Sequence, residues 1–178
     1  HSMLLNYKKK KFYFIGIVLV SLFLINAYQI STQHWSARLD HDFYILYNSL
    51  LISSGYEQQG IDHPAFTTFL IHGGIFKLLS FFQEKHSSNI DVILNSKHIN
   101  DTLQYYFAVA RITNYFINIS LIFLFYHFLN LLNLKKNIIF FTCIILSFSQ
   151  WYTLSFFQIR SEILSLVFFT ISMIFILS

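Results

Sequence analysis

Four stretches of the chain stay uncharged for long enough to matter to a lipid bilayer. Residues 12–30 form a run of 19 without a charge, and as a helix rising about 1.5 Å per residue it reaches roughly 28 Å, close to the hydrocarbon thickness. Residues 112–134 and 137–157 repeat the pattern, and residues 163–178 open a fourth run. Lys8 to Lys11 directly precede the first run and Lys135-Lys136 follow the second. A signal peptide begins in the same way but needs a small-residue cleavage site, and Ala27-Tyr28-Gln29 is a poor one. The first run therefore reads as an uncleaved helix with its basic flank in the cytoplasm.

Between the first two runs the pattern changes character. Phe43, Leu46, Tyr47, Leu50 and Leu51 recur at i, i+3, i+4, i+7 and i+8, the stripe of an amphipathic helix over about 43–54. Gly55 sits where such a helix ends. Residues 65–82 form a second, more apolar helix that is long enough to cross a membrane but contains His72, Gly73-Gly74 and Lys77. Charge decides its fate. If both lysine clusters are cytoplasmic, an even number of spans separates them; 12–30 and 112–134 supply two, and 83–105 is too polar to add another. Residues 65–82 then do not cross. This assignment places six basic residues inside and all eight acids outside or at the outer boundary with the other six basic residues, as the positive-inside rule requires. The predicted architecture is an all-α polytopic membrane protein. Its first external loop, 31–110, carries two juxtamembrane helices resting their apolar faces on the outer surface, and 87–100 is a surface loop.

Composition agrees. Of 178 residues, 55% are hydrophobic and 11% charged, against about 25% charged in typical soluble proteins. One cysteine, Cys143, excludes an intrachain disulfide and any CxxC redox or zinc motif. The net charge of +4 is an orientation signal rather than a nucleic-acid footprint. No glycine-rich phosphate loop supports direct use of a nucleotide. Two residues precede Met3, and the last apolar run falls short of the ~20 needed to cross a bilayer. The expectation is therefore the N-terminal part of a longer membrane protein, inactive alone.

Candidate chemistry gathers in the external loop. Asp40 and Asp42 stand just before the amphipathic helix, where a carboxylate either caps the helix or serves as a base facing the membrane. His34, His41, His63 and His72 also fall in or beside the loop. A divalent metal held by Asp40, His41 and His63 is one arrangement, although no spacing matches a ligand signature. Arg111 and Arg160 suit a phosphate group or an interfacial anchor. Glu162 enters a span, where a carboxylate is costly and is kept for function or for pairing with Arg160. His127 and the asparagines 114, 118, 130 and 133 read as packing and interhelical contacts.

The order of these residues resembles a known family. Asp40, Tyr44 four residues on, Gly55 eleven beyond that, then Asp62-His63-Pro64 ahead of an apolar helix is similar to the first external loop of GT-C membrane glycosyltransferases. The likeness is to the protein O-mannosyltransferase and lipid A aminoarabinose transferase group. Ala110-Arg111-Ile112 matches the arginine that opens the family's next span, and Arg160-Ser161-Glu162 a further acid after an arginine. The departures are His41 in place of a glutamate, a single proline after His63, and Asp42 as an alternative to Asp40 for the family acid. The resemblance implies transfer of a sugar from a polyprenyl-phosphate donor to a lipid, glycan or protein acceptor on the outer face of a bacterial inner membrane. Asp40 or Asp42 is then the general base, and His63, Tyr44, Arg111, Arg160 and Glu162 meet the substrates. The competing classes are a transporter or lipid flippase and a non-catalytic assembly subunit.

Overall fold

Local hydrogen bonding sets the limits of each helix in the computed structural model, which describes residues 41–59, 65–82, 86–149 and 158–177 and a few positions between 24 and 34. Two units are distinguished, His1–Gln33 and His34–Ser178. In the first, Leu24, Ile25, Ala27, Tyr28 and Thr32 are helical, and Thr32 Oγ1 donates to the Tyr28 carbonyl at 2.9 Å. The rest of the expected span 12–30 lies outside the described residues.

The second unit contains α1 (His41–Ser53), α2 (Phe66–Phe82), α3 (Ile90–Leu94), α4 (Ile99–Leu131), α5 (Lys136–Phe148) and α6 (Ser161–Leu177). No strand occurs among the described residues. Helix α1 stops where expected. The Tyr56 N–H reaches the Leu51 carbonyl at 2.9 Å and the Gly55 N–H the Ile52 carbonyl at 3.0 Å. This paired closure requires a left-handed residue, and Gly55 supplies it at φ +86°. Helix α2 approaches α1 closely enough that a Cβ on Gly73 would lie 2.7 Å from the Ser49 carbonyl oxygen, whereas Gly74 faces open space.

Helices α1 and α2 pack on each other and on the beginning of α4, while α2 leaves Phe66, Leu70, Leu78, Phe81 and Phe82 exposed. The apolar stripe buries Leu46, Leu50 and Leu51, but Asp42, Asn48, Ser49 and Ser53 are buried as well. Two of these are satisfied nearby: Asn48 donates to the Tyr44 carbonyl and accepts from the Gln59 N–H, and Ser49 donates to the Ile45 carbonyl. His72 meets the Ala110 carbonyl, while Phe76 packs on Tyr106 one turn earlier in α4. Helix α2 therefore runs antiparallel to the beginning of α4. The two expected helices are joined in one cluster with the N-terminal part of α4. Tertiary packing encloses both faces of α1, which periodicity alone assigns to one side.

Residues 87–100 are also more ordered than a surface loop. Asn89 caps α3 through its side-chain oxygen, which accepts from the Asp91 and Val92 N–H groups, and Ile90 and Ile93 are buried in the core. Helix α4 starts at Ile99, thirteen residues before the expected span, and at 33 residues it is roughly 50 Å long. Among the described residues it is the helix long and apolar enough to cross a membrane. Asn133, left-handed at φ 54°, turns the chain after α4. Helix α5 then packs back through Ile139 and Cys143 against Leu129. It ends at Phe148, with Ser149 extended, and the rest of the expected span 137–157 falls on residues 150–157, outside the described set. Helix α6 packs along α4.

Candidate functional site

Three segments remote in sequence meet beside Arg111. Arg111 Nη2 donates to Asp42 Oδ2 at 2.8 Å, and the Ile159 N–H donates to Asp42 Oδ1 at 2.7 Å. Both carboxylate oxygens are thus engaged, one by a cation and one by the backbone. Arg111 is 1% exposed and Asp42 2%. The guanidinium also lies over the Phe107 ring, 4.5 Å from its centroid, a cation–π contact strengthened by the absence of water. Nε and Nη1 of Arg111 are buried and have no hydrogen-bond partner among the described residues. The pair is a deep tie between the start of α1, the middle of α4 and the segment entering α6.

Along α4 the tie marks a change in what the helix exposes. Exposed apolar side chains on α4 begin at Ile112 and continue through Phe116, Phe123 and Tyr126. From Arg111 to Leu131 the helix rises roughly 30 Å, one hydrocarbon thickness, with Lys135 and Lys136 just beyond. Above Arg111 the same helix belongs to the cluster of α1, α2 and α3.

The segment 158–160 is held from both sides. Asn114, one turn after Arg111 and itself buried, donates Nδ2 to the Gln158 carbonyl at 2.9 Å. The Gln158 side-chain oxygen accepts from Arg160 Nε at 3.1 Å and also from Arg160 Nη2. Arg160 is half-buried. Glu162 is exposed in the first turn of α6 and accepts a long contact from Ser161 Oγ at 3.4 Å. Arg160 is thus clasped by Gln158 and not by Glu162. Among the described residues Glu162 packs against no other element and stands in the first turn of α6.

His72 closes the back of the site. Its ring is fully buried, with Nδ1 2.8 Å from the Thr68 carbonyl and Nε2 3.2 Å from that of Ala110, the residue before Arg111. Burial pushes the imidazole below its ordinary pKa and outweighs the two carbonyls, which act in the opposite sense. A neutral ring donates to only one of them.

Of the residues singled out from sequence, Asp42, Arg111 and Arg160 fall in this region. Tyr44 does something different: its hydroxyl donates to the Gln59 carbonyl at 2.6 Å and its ring packs edge-on against Phe69, tying down the chain that returns from α1. Asp42 is a buried anchor in this arrangement, with one oxygen on Arg111 and the other on the Ile159 N–H. Asp40, Asp62 and His63 lie outside the described residues, as does the side chain of His41, and the metal arrangement built on Asp40, His41 and His63 goes with them. Among the described residues no three His, Cys, Asp or Glu side chains gather to hold a metal.

Gln158 was not flagged by sequence. The available signal was its spacing from Arg160, since in non-helical, extended chain residues i and i+2 share a side. No protein-family model, curated protein or solved structure matches the chain.

Proposed function

We propose that this chain carries the first part of a polytopic membrane glycosyltransferase of the GT-C type, which moves a sugar from a polyprenyl-phosphate donor to an acceptor at the outer face. The observation that supports the reading is the convergence of Asp42, Arg111 and the segment 158–160 within hydrogen-bonding distance. The acid region before α1, the arginine of Ala110-Arg111-Ile112 and the stretch leading to Arg160-Ser161-Glu162 carry the resemblance only by their order along the chain. The Asp42–Arg111 pair brings the start of α1, the middle of α4 and the entry to α6 together, which supports reading that order as one site.

In this reading Asp42 and Asp40 have separate duties. Asp42 anchors α1 to Arg111 and to Ile159, while Asp40, two residues earlier, is the general base that takes the proton from the acceptor hydroxyl as it attacks the anomeric carbon. The phosphate leaves with its charge held by an arginine. Several spans beyond the present chain complete the enzyme, and the active site faces outward from a bacterial inner membrane.

The test is Asp40→Asn in the full protein, assayed with a radiolabelled polyprenyl-phosphate sugar. Transfer to acceptor is expected to be lost while membrane insertion stays intact. Undiminished transfer would remove Asp40 from the mechanism, and movement of the lipid across the bilayer without sugar transfer would identify a flippase instead.

A further inference from the structure

Gln158 holds Arg160 in a way that orients the charge without cancelling it. Its single amide oxygen accepts from Nε and Nη2 together, along the edge of the guanidinium that a carboxylate ordinarily grips with two oxygens. The amide is neutral. Among the described residues the ion pairs are Asp42–Arg111 and His98–Asp101, so Arg160 has no carboxylate partner there. Asp42 is committed to Arg111 and to the Ile159 N–H, and Glu162 faces Ser161.

The clasp is itself braced. The Gln158 carbonyl is fixed by Asn114 and the next N–H by Asp42, so the backbone carrying the amide is pinned on both sides. Helix α6 starts at the residue after Arg160, and its N-terminal dipole adds potential of the same sign. An arginine kept only as a packed anchor at a boundary gains from an acid partner. A neutral clasp suits a charge that must remain available to an anion.

We infer that Gln158 is a positioning residue that aims the charge of Arg160, which has no carboxylate partner among the described residues, at an anionic group, the phosphate of a lipid-linked donor. The identity of that anion rests on the glycosyltransferase reading above. Gln158 itself touches no reacting atom; it acts through Arg160, whose Nη1 its clasp leaves unengaged.

The test uses the full protein in lipid nanodiscs and two probes, undecaprenyl phosphate and uncharged undecaprenol, competed against each other and read by native mass spectrometry. The wild type retains the phosphate in preference. Gln158→Glu keeps the shape but pairs Arg160 with a carboxylate that offsets its charge, and it is expected to lower that preference about tenfold, more than Gln158→Ala does. A merely structural Gln158 predicts the reverse order, since glutamate grips Arg160 more firmly than alanine. Wild-type preference in Q158E, or a larger loss in Q158A than in Q158E, overturns the inference. Should Q158E fail to fold, Q158A and Arg160→Gln decide: loss in both supports the clasp, and loss in R160Q alone overturns it. A wild type that shows no preference for the phosphate sinks the glycosyltransferase reading together with the inference. Preference and sugar transfer in the wild type with an unaltered Q158E sink the inference alone.

Discussion

Asp42 and Arg111, 69 positions apart, form a 2.8 Å ion pair from which water is excluded on both sides. A buried pair of this kind contributes little beyond what apolar side chains of the same volume would, but it is costly to break from one side, because the other charge stays buried and alone. Asp42→Ala is therefore expected to destabilise the protein by about 3–5 kcal/mol, with Asp42→Asn milder because the amide oxygen still accepts from Ile159. Thermal unfolding in detergent checks this. The double variant Asp42→Leu, Arg111→Met should be more stable than Asp42→Ala, and a double that is worse than either single change would refute the account.

Gly73 and Gly74 give a neighbouring pair with opposite expectations. A methyl at Gly73 meets the Ser49 carbonyl at 2.7 Å, so Gly73→Ala must push α1 and α2 apart and should cost about 1–3 kcal/mol. At Gly74 nothing lies within 4 Å, and Gly74→Ala should stabilise α2 by up to about 1 kcal/mol through helix propensity alone. Parallel melting curves of the two variants decide the matter, and equal shifts would show that the helices are not in close contact.

His72 makes stability depend on mild acid. Its folded pKa is depressed by burial, so the unfolded chain binds the proton more readily. The contribution is complete above the ordinary histidine pKa of about 6.5 and is lost as the pH falls through it. The melting temperature should drop between pH 7.5 and 5.5, and His72→Gln should flatten that slope. An unchanged slope in the variant would assign the acid sensitivity to another group.

The cluster also predicts which positions a membrane-impermeant thiol reagent reaches. Lys97 is exposed between α3 and α4, far along the chain from the lysines after α4. With Cys143 replaced by serine, Lys97→Cys should be labelled only from the outer side and Lys136→Cys only from the cytoplasmic side. Ser88 is a poor reporter, since it is buried and its carbonyl accepts from Ser53 Oγ at 2.7 Å. Labelling of Lys97→Cys from the cytoplasm would overturn the orientation.

Much of the helical plan was present in local pattern. The stripe from Phe43 to Leu51 and the terminating Gly55 marked α1 to within a residue or two, because helical period and a left-handed stop are properties of a few adjacent residues. The run of 65–82 marked α2 equally well, and the apolar stretch from Ile112 marked the part of α4 whose exposed side chains are apolar. The first thirteen residues of α4 escaped, since Asn100, Asp101, Gln104 and Arg111 dilute the hydropathy there. Their helix is held by packing of Leu103, Tyr106, Phe107 and Ala110 into the core.

What local pattern determined, then, is where the chain is helical and which end of α4 meets charge. Only the tertiary structure decided what the polar residues do. Asp42 and Asp40 are interchangeable as letters two places apart, and nothing in the local pattern places the Tyr44 hydroxyl on the Gln59 carbonyl. The pairing of Asp42 with Arg111, and of Arg160 with Gln158 in preference to Glu162, depends on α1, α4 and the entry to α6 arriving at one point. Burial makes those contacts strong, and burial is a property of the assembled helices that no single stretch of sequence carries.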